Sequence, residues 1–139
     1  MTLILERAII ALTMLTVAAN VAGAKDIAAI ATTVCSVSKD PQLYAGKIIA
    51  VKGQLESDGM HFTVVTDPQC SNAGFAVKAP KPFVGESEFY KALETGHPGT
   101  LDKIITGRFN GRFVWNPNRM PKRALVLIEV SDLHLTMKR

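Results

Sequence analysis

The sequence predicts a mainly β domain, a five-stranded Greek-key barrel with a short helix ahead of it and a second helix between strands three and four. Three observations carry that prediction. Stretches alternating between apolar and polar residues recur between turn signals. A helical pattern interrupts them once, after the third stretch. Two of the stretches also share one pattern: Ala50-Val51-Lys52-Gly53-Gln54-Leu55 and Ile104-Ile105-Thr106-Gly107-Arg108-Phe109 each read apolar, apolar, polar, Gly, polar, apolar. Glycine inside a strand marks a bulge or a sharp bend, and two walls bent alike suit a sheet that closes on itself.

In chain order, residues 25–32 are rich in alanine without periodicity and read as a mobile leader. Thr33 is placed to cap a short helix whose Val34 and Val37 share a face, with Cys35 in the first turn. Asp40-Pro41 starts a second helical turn, Ala45-Gly46 ends it, and Tyr44 is expected under the sheet. From Ile48 the period becomes two: Ile49, Val51 and Leu55 point inward, while Ile48, Ala50, Lys52 and Gln54 point outward. Asp58-Gly59 is a turn, and residues 60–66 form the second strand with Phe62 and Val64 inward. A third strand at 75–78 is stopped by Pro80 and Pro82. Ser87 caps the next helix, Phe89 and Leu93 form its apolar stripe, and Gly96 with Pro98 ends it. The fourth strand covers 103–109, and residues 110–123 read as a long, basic, turn-rich loop. The last strand, 124–130, is expected to turn Val126, Ile128 and Val130 inward and Glu129 outward, with Leu125 and Leu127 on a partly covered second face. Three strands, a helix and two strands is the order of the oligonucleotide/oligosaccharide-binding (OB) barrel. An open α+β sheet accounts for the helix but not for the paired kinks.

The chain has 139 residues, 47% hydrophobic and 20% charged, with net charge +4. That composition suits one folded domain and excludes a disordered class. Residues 1–24 carry Arg7 near the start, an uncharged apolar run from Ala8 to Val21, then Ala22-Gly23-Ala24. This is the pattern of a secretory signal peptide cut after Ala24, the run being too short for a comfortable membrane span. An uncleaved anchor is the other reading. The expected organisation is a signal peptide at 1–24, a leader at 25–32, the barrel at 33–135 and a tail at 136–139. The cleaved protein would be periplasmic or secreted, with no stable membrane span. In an oxidising compartment Cys35 and Cys70 read first as a disulfide, worth about 4 kcal/mol for a loop of about 35 residues. A zinc pair or a nucleophile is the rival reading, but neither cysteine has a second Cys or a His at zinc-site spacing.

Val34-Cys35, Asp40-Pro41, Tyr44, Gly46-Lys47, Val51-Lys52-Gly53, Asp67-Pro68-Gln69-Cys70 and Thr106-Gly107-Arg108-Phe109, taken in order, resemble the small exported bacterial OB-fold-like proteins of uncharacterised function. The likeness spans about Val34 to Leu133. It implies an OB-like barrel with a helical lead and a Cys35–Cys70 link, and it brings no catalytic residues. The basic stretch from Arg112 to Arg123 lies outside the shared pattern.

OB barrels bind on the face of strands two and three, between the loop joining strands one and two and that joining four and five. The second of these loops is expected to hold Arg112, Arg119, Lys122 and Arg123 with Phe113 and the single tryptophan, Trp115. Cations interleaved with aromatic rings suit polyanions that also present flat rings or sugar faces. The candidate ligand residues are therefore His61, Lys78, Arg108, Arg112, Trp115, Arg119 and Arg123, with Thr63 outward beside them. The expected ligand is an anionic polymer, a glycan or an envelope protein. A structural envelope role without a small ligand is the alternative, and a nucleic-acid ligand is less favoured because export and a charge of +4 suit it poorly. No enzyme, metal or cofactor is expected: His61, His97 and His134 pair with no second His or Cys, and the carboxylates are scattered.

Overall fold

The alternation of residues 48–57 builds the strand around which the barrel closes. The computed structural model describes residues 28–139. The expected signal peptide and its cleavage point lie outside the described residues. Strand β1 (Ile30–Ala31) is followed by helices α1 (Val34–Lys39) and α2 (Pro41–Tyr44). Then come β2 (Ile48–Ser57), β3 (Thr63–Thr66), β4 (Gly74–Lys78), α3 (Glu86–Glu94), β5 (Lys103–Trp115) and β6 (Arg123–Met137).

The sheet runs β2-β3-β4-β6-β5 and closes by a β5–β2 ladder. Every ladder within this ring is antiparallel except β4–β6, which is parallel. That closed five-stranded mixed barrel, with α3 between β4 and β5, is OB-like. The two glycine-kinked strands are direct partners: Gly53 lies opposite Gly107, Val51 opposite Phe109 and Lys52 opposite Arg108. Both glycines replace inward side chains. A Cβ on Gly53 would stand 2.7 Å from Val65 Cγ2 and one on Gly107 2.7 Å from Leu133 Cδ2, closer than packed carbons approach. The wall can bend inward there only because nothing projects from it.

The interior is filled by Ile49, Leu55, Val65, Phe75, Ile105, Phe109, Phe113 and Leu125, all fully buried, with Val34 and Val37 of α1 and Phe89 of α3 added from outside the barrel. Thr33 caps α1, its Oγ1 accepting from Ser36 N–H at 3.0 Å. A Cys35–Cys70 disulfide ties α1 to the β3–β4 loop, with the Cα atoms 5.7 Å apart. No helix among the described residues is long and apolar enough to cross a membrane.

Several local expectations are corrected. Ile30 and Ala31, expected in a mobile leader, pair in parallel with Ile49 and Ala50. In β3 the phase is reversed: Val65 is buried, Val64 is only half-buried and Phe62 is exposed. Residues 60–62 are spent on a turn, and two adjacent valines make either phase compatible with the sequence. Thr63 consequently shares the side of Val65, where its Oγ1 lies 2.9 Å from Ser57 Oγ. The helix cap is Gly85 rather than Ser87. Residues 110–115 belong to β5, and only 116–122 form the loop. In β6 the inward residues are Leu125, Leu127 and Val130. A bulge leaves Ile128 without a partner between the Gly111–Leu127 and Asn110–Glu129 pairs, and this resets the alternation. The last strand also continues to Met137, into the residues expected as a tail.

Candidate ligand groove

The glycine pair shapes the outside of the barrel as well as its interior. Where the β2–β5 wall bends inward, its outer surface carries a groove. One part, about 400 Å³, is lined by Ala31, Thr32, Thr33, Ala50, Lys52, Asp67, Arg108, Asn110, Glu129 and Ser131, among others. An adjoining hollow of about 500 Å³ shares Lys52, Asp67 and Arg108 and extends over Gly53 and Gly107 to Gln69, Thr106, Asp132 and His134.

Strand register explains why these residues meet. Across β2, β5 and β6, Lys52 stands beside Arg108 and Arg108 beside Ser131, while Ala50 stands beside Asn110 and Asn110 beside Glu129. Side chains on one face of neighbouring strands are about 5 Å apart, so two short rows, polar except for Ala50, cover the floor. β1 and the α1 cap put Thr32 and Thr33 along one rim, fixed by the Thr32 N–H to Ala50 carbonyl bond of 3.1 Å. The β3–β4 loop supplies Asp67 from the disulfide-tied side. Arg108 Nε reaches Asp132 Oδ2 at 3.1 Å, with both side chains more than half exposed. An exposed pair of this kind is weak, so the guanidinium is free to exchange partners.

The candidate residues named from the sequence do not form one site. Arg108 lies in the groove. Lys78 and Arg112 stand on a different part of the outer wall, on either side of Val126, and Arg112 Nη1 donates to Gly46 O at 2.7 Å. Trp115 ends β5 half-buried against the core, with the Arg123 guanidinium 6.0 Å from its ring centroid; it is not an open stacking platform. Arg119 is exposed in the 116–122 loop. His61 is in the turn after β2 rather than on a strand.

That turn is organised by Asp58. Its carboxylate accepts from the backbone N–H groups of His61 at 2.7 Å, Met60 at 2.9 Å and Phe62 at 3.3 Å, and pairs with His61 Nδ1 at 2.7 Å. These donors, the His61 N–H first, hold the carboxyl far below its ordinary value of 3.8. Asp102 is lowered in the same direction by the His97 N–H and then the His97 ring, at 2.8 and 3.0 Å. Both carboxylates lock turns. The Cys35 and Cys70 sulfurs and an Asp67 oxygen lie within 4.8 Å of one another, but the sulfurs are bonded to each other and offer no thiolate to a metal.

Sequence reasoning missed Lys52, Asp67, Asn110 and Glu129 as groove residues. Part of the signal was present. Lys52 precedes its glycine and Arg108 follows its own, so antiparallel pairing through the two glycines must set the cations side by side. Asn110 and Glu129 needed the β6 bulge to be known. Comparison of the chain with models of known protein families gives no match, and comparison with curated proteins gives none at a significant level.

Proposed function

We propose that this protein is an exported binding module that holds a glycan-like, hydroxyl-rich ligand in the groove over the Gly53–Gly107 pair. The observation that carries this reading is the two-row array Lys52–Arg108–Ser131 and Ala50–Asn110–Glu129, laid on a bent rigid wall beside the Thr32–Thr33 rim. Polar groups held on paired strands offer many donors and acceptors in fixed positions, which is how a concave site recognises hydroxyls. Lys52 and Arg108 face Asp67, Glu129 and Asp132 across the same surface. That balance favours a neutral or zwitterionic glycan over a polyanion at this site. The β3–β4 face turns Val64, Thr66 and Ala76 outward without an aromatic ring among them, which supports a polar ligand over stacked bases. The disulfide supports the exported location.

The test is an amide-resolved NMR titration with soluble cell-wall glycan fragments, run beside heparin as the polyanionic probe. Shifts centred on residues 50–52, 108–110 and 129–131 for the glycan, lost in Arg108→Ala with Asn110→Ala, are the expected result. Shifts for heparin alone, or for neither probe, reject the reading.

A further inference from the structure

A second surface of the barrel is unlike the groove. Outward positions of β4, β6 and β5 line up by register as Lys78–Val126–Arg112 and Ala76–Ala124–Val114. At about 4.8 Å per strand the two cations stand roughly 10 Å apart at the backbone, with Val126 between them. The β6 bulge then adds an apolar residue to the same face. Ile128 and Glu129 both face out where one residue normally would, and Ile128 is exposed. Val84 docks beside them, its N–H donating to Ile128 O at 3.1 Å and its carbonyl accepting from Val130 N–H at 2.8 Å; it is 62% exposed. Past Val114 and Ala124 the same two strands end in the 116–122 hairpin, where Met120 is 78% exposed between Arg119 and Lys122. Val114, Ile128, Val84 and Met120 thus leave apolar side chains in water along one wall and its tip. Lys78, Arg112, Arg119 and Lys122, which border them, have no carboxylate partner within salt-bridge distance among the described residues.

We propose that this β4–β6–β5 face and its hairpin tip dock on an anionic lipid bilayer surface, Met120 and Ile128 entering the headgroup layer while the four cations meet lipid phosphates. Charge and polarity together single out this occupant. A soluble polyanion would use the cations but leave the apolar residues as wet as before. A second copy of the chain meeting the same face would set like charges against each other. An anionic bilayer satisfies both sets: apolar side chains leave water at the interface, and basic residues gain from the negative surface potential. The face borders the groove, since Val84 and Ile128 lie beside Glu129 of the groove floor, but it shares none of its docking residues with the groove lining.

The test uses the full chain with Met120→Trp, a substitution at an exposed position. Residues 1–24 contain one basic and one acidic side chain, Arg7 and Glu6, whose charges cancel. The indole placed at the hairpin tip also reports docking separately from any binding by that apolar segment. Its emission is read as the difference from the unsubstituted protein, which removes the signal of Trp115. Phosphatidylglycerol-containing vesicles should shift this difference emission to the blue, and pure phosphatidylcholine vesicles should not. High salt should abolish the shift, and Lys78→Glu with Arg112→Glu should raise the lipid concentration needed about tenfold or more. Val84→Ser with Ile128→Ser, checked for folding by circular dichroism, should weaken docking as well. No blue shift on anionic vesicles overturns the proposal, as does an equal shift on both lipids. Loss of binding with the charge variant but none with the serine variant would instead identify a soluble-polyanion surface. Failure of the glycan titration would leave this result untouched, because no groove residue is altered.

Discussion

Gly53 and Gly107 show how much one absent methyl group decides. A Cβ at Gly53 would lie 2.7 Å from Val65 Cγ2 and 2.9 Å from the Thr66 carbonyl, a backbone atom held in the β2–β3 ladder. Gly53→Ala should therefore lose about 1–3 kcal/mol, the usual cost of overpacking a dense interior, read as a lower urea midpoint at unchanged slope. An unchanged midpoint would mean that the wall is not bent as described. Asp58 gives a prediction in pH. Its folded-state pKa lies below the ordinary 3.8, so the stability it adds is complete above about pH 4 and is lost as pH falls toward the depressed value. Asp58→Asn should lower stability at neutral pH and flatten the decline on the acid side, measured by thermal melts at a series of pH values. A parallel decline in both proteins would refute the turn lock.

Among the elements, α3 depends on a residue that sequence reading passed over. Lys103 is 8% exposed, and its Nζ donates to the carbonyls of Leu93 and Thr95 at the end of that helix. A cation at a helix C-terminus satisfies carbonyls that have no partner within the helix and opposes the negative end of its dipole. Lys103→Met keeps the stem and removes the donors, leaving those carbonyls unpaired. A loss of about 1–3 kcal/mol is expected in urea unfolding, with Lys103→Arg losing less. The strands differ in how plainly their phase is written. The β2 phase was legible because Lys52 and Gln54 mark the outward row between Val51, Gly53 and Leu55. The apolar run Ala124–Ile128 has no polar residue to mark its phase, so only the pairing with β5 and the bulge at Ile128 set it. Residues 110–115 read as loop because Asn110 and Gly111 imitate a turn. In the barrel Gly111 is buried, and a Cβ there would collide with the Val126 carbonyl.

At the scale of the whole molecule, the disulfide joins the helical lead to the β3–β4 loop across 35 positions of sequence. Chain-entropy reasoning gives it about 4 kcal/mol. Cys35→Ser with Cys70→Ser should lower the melting temperature accordingly and loosen the groove rim, since Thr33 and Asp67 reach the groove from the two tied segments. Thiol labelling of the denatured, unreduced protein should find no free cysteine; two reactive thiols would contradict the link.

The order of the barrel's five strands and of α3, the matched glycine kinks and the inward row of β2 were settled by local residue pattern, because period, caps and turn chemistry act over a few neighbouring residues; the phases of β3 and β6 and the pairing of Ile30 and Ala31 were not. Which outward residues share a surface was decided by the closed sheet alone. Arg108 is in the groove, Lys78 and Arg112 are on the wall beside Val126, and Trp115 is packed against the core, although all four looked alike as candidates. Register and bulges arise from pairing between distant strands, and a shift of one residue exchanges the inner and outer faces of the barrel.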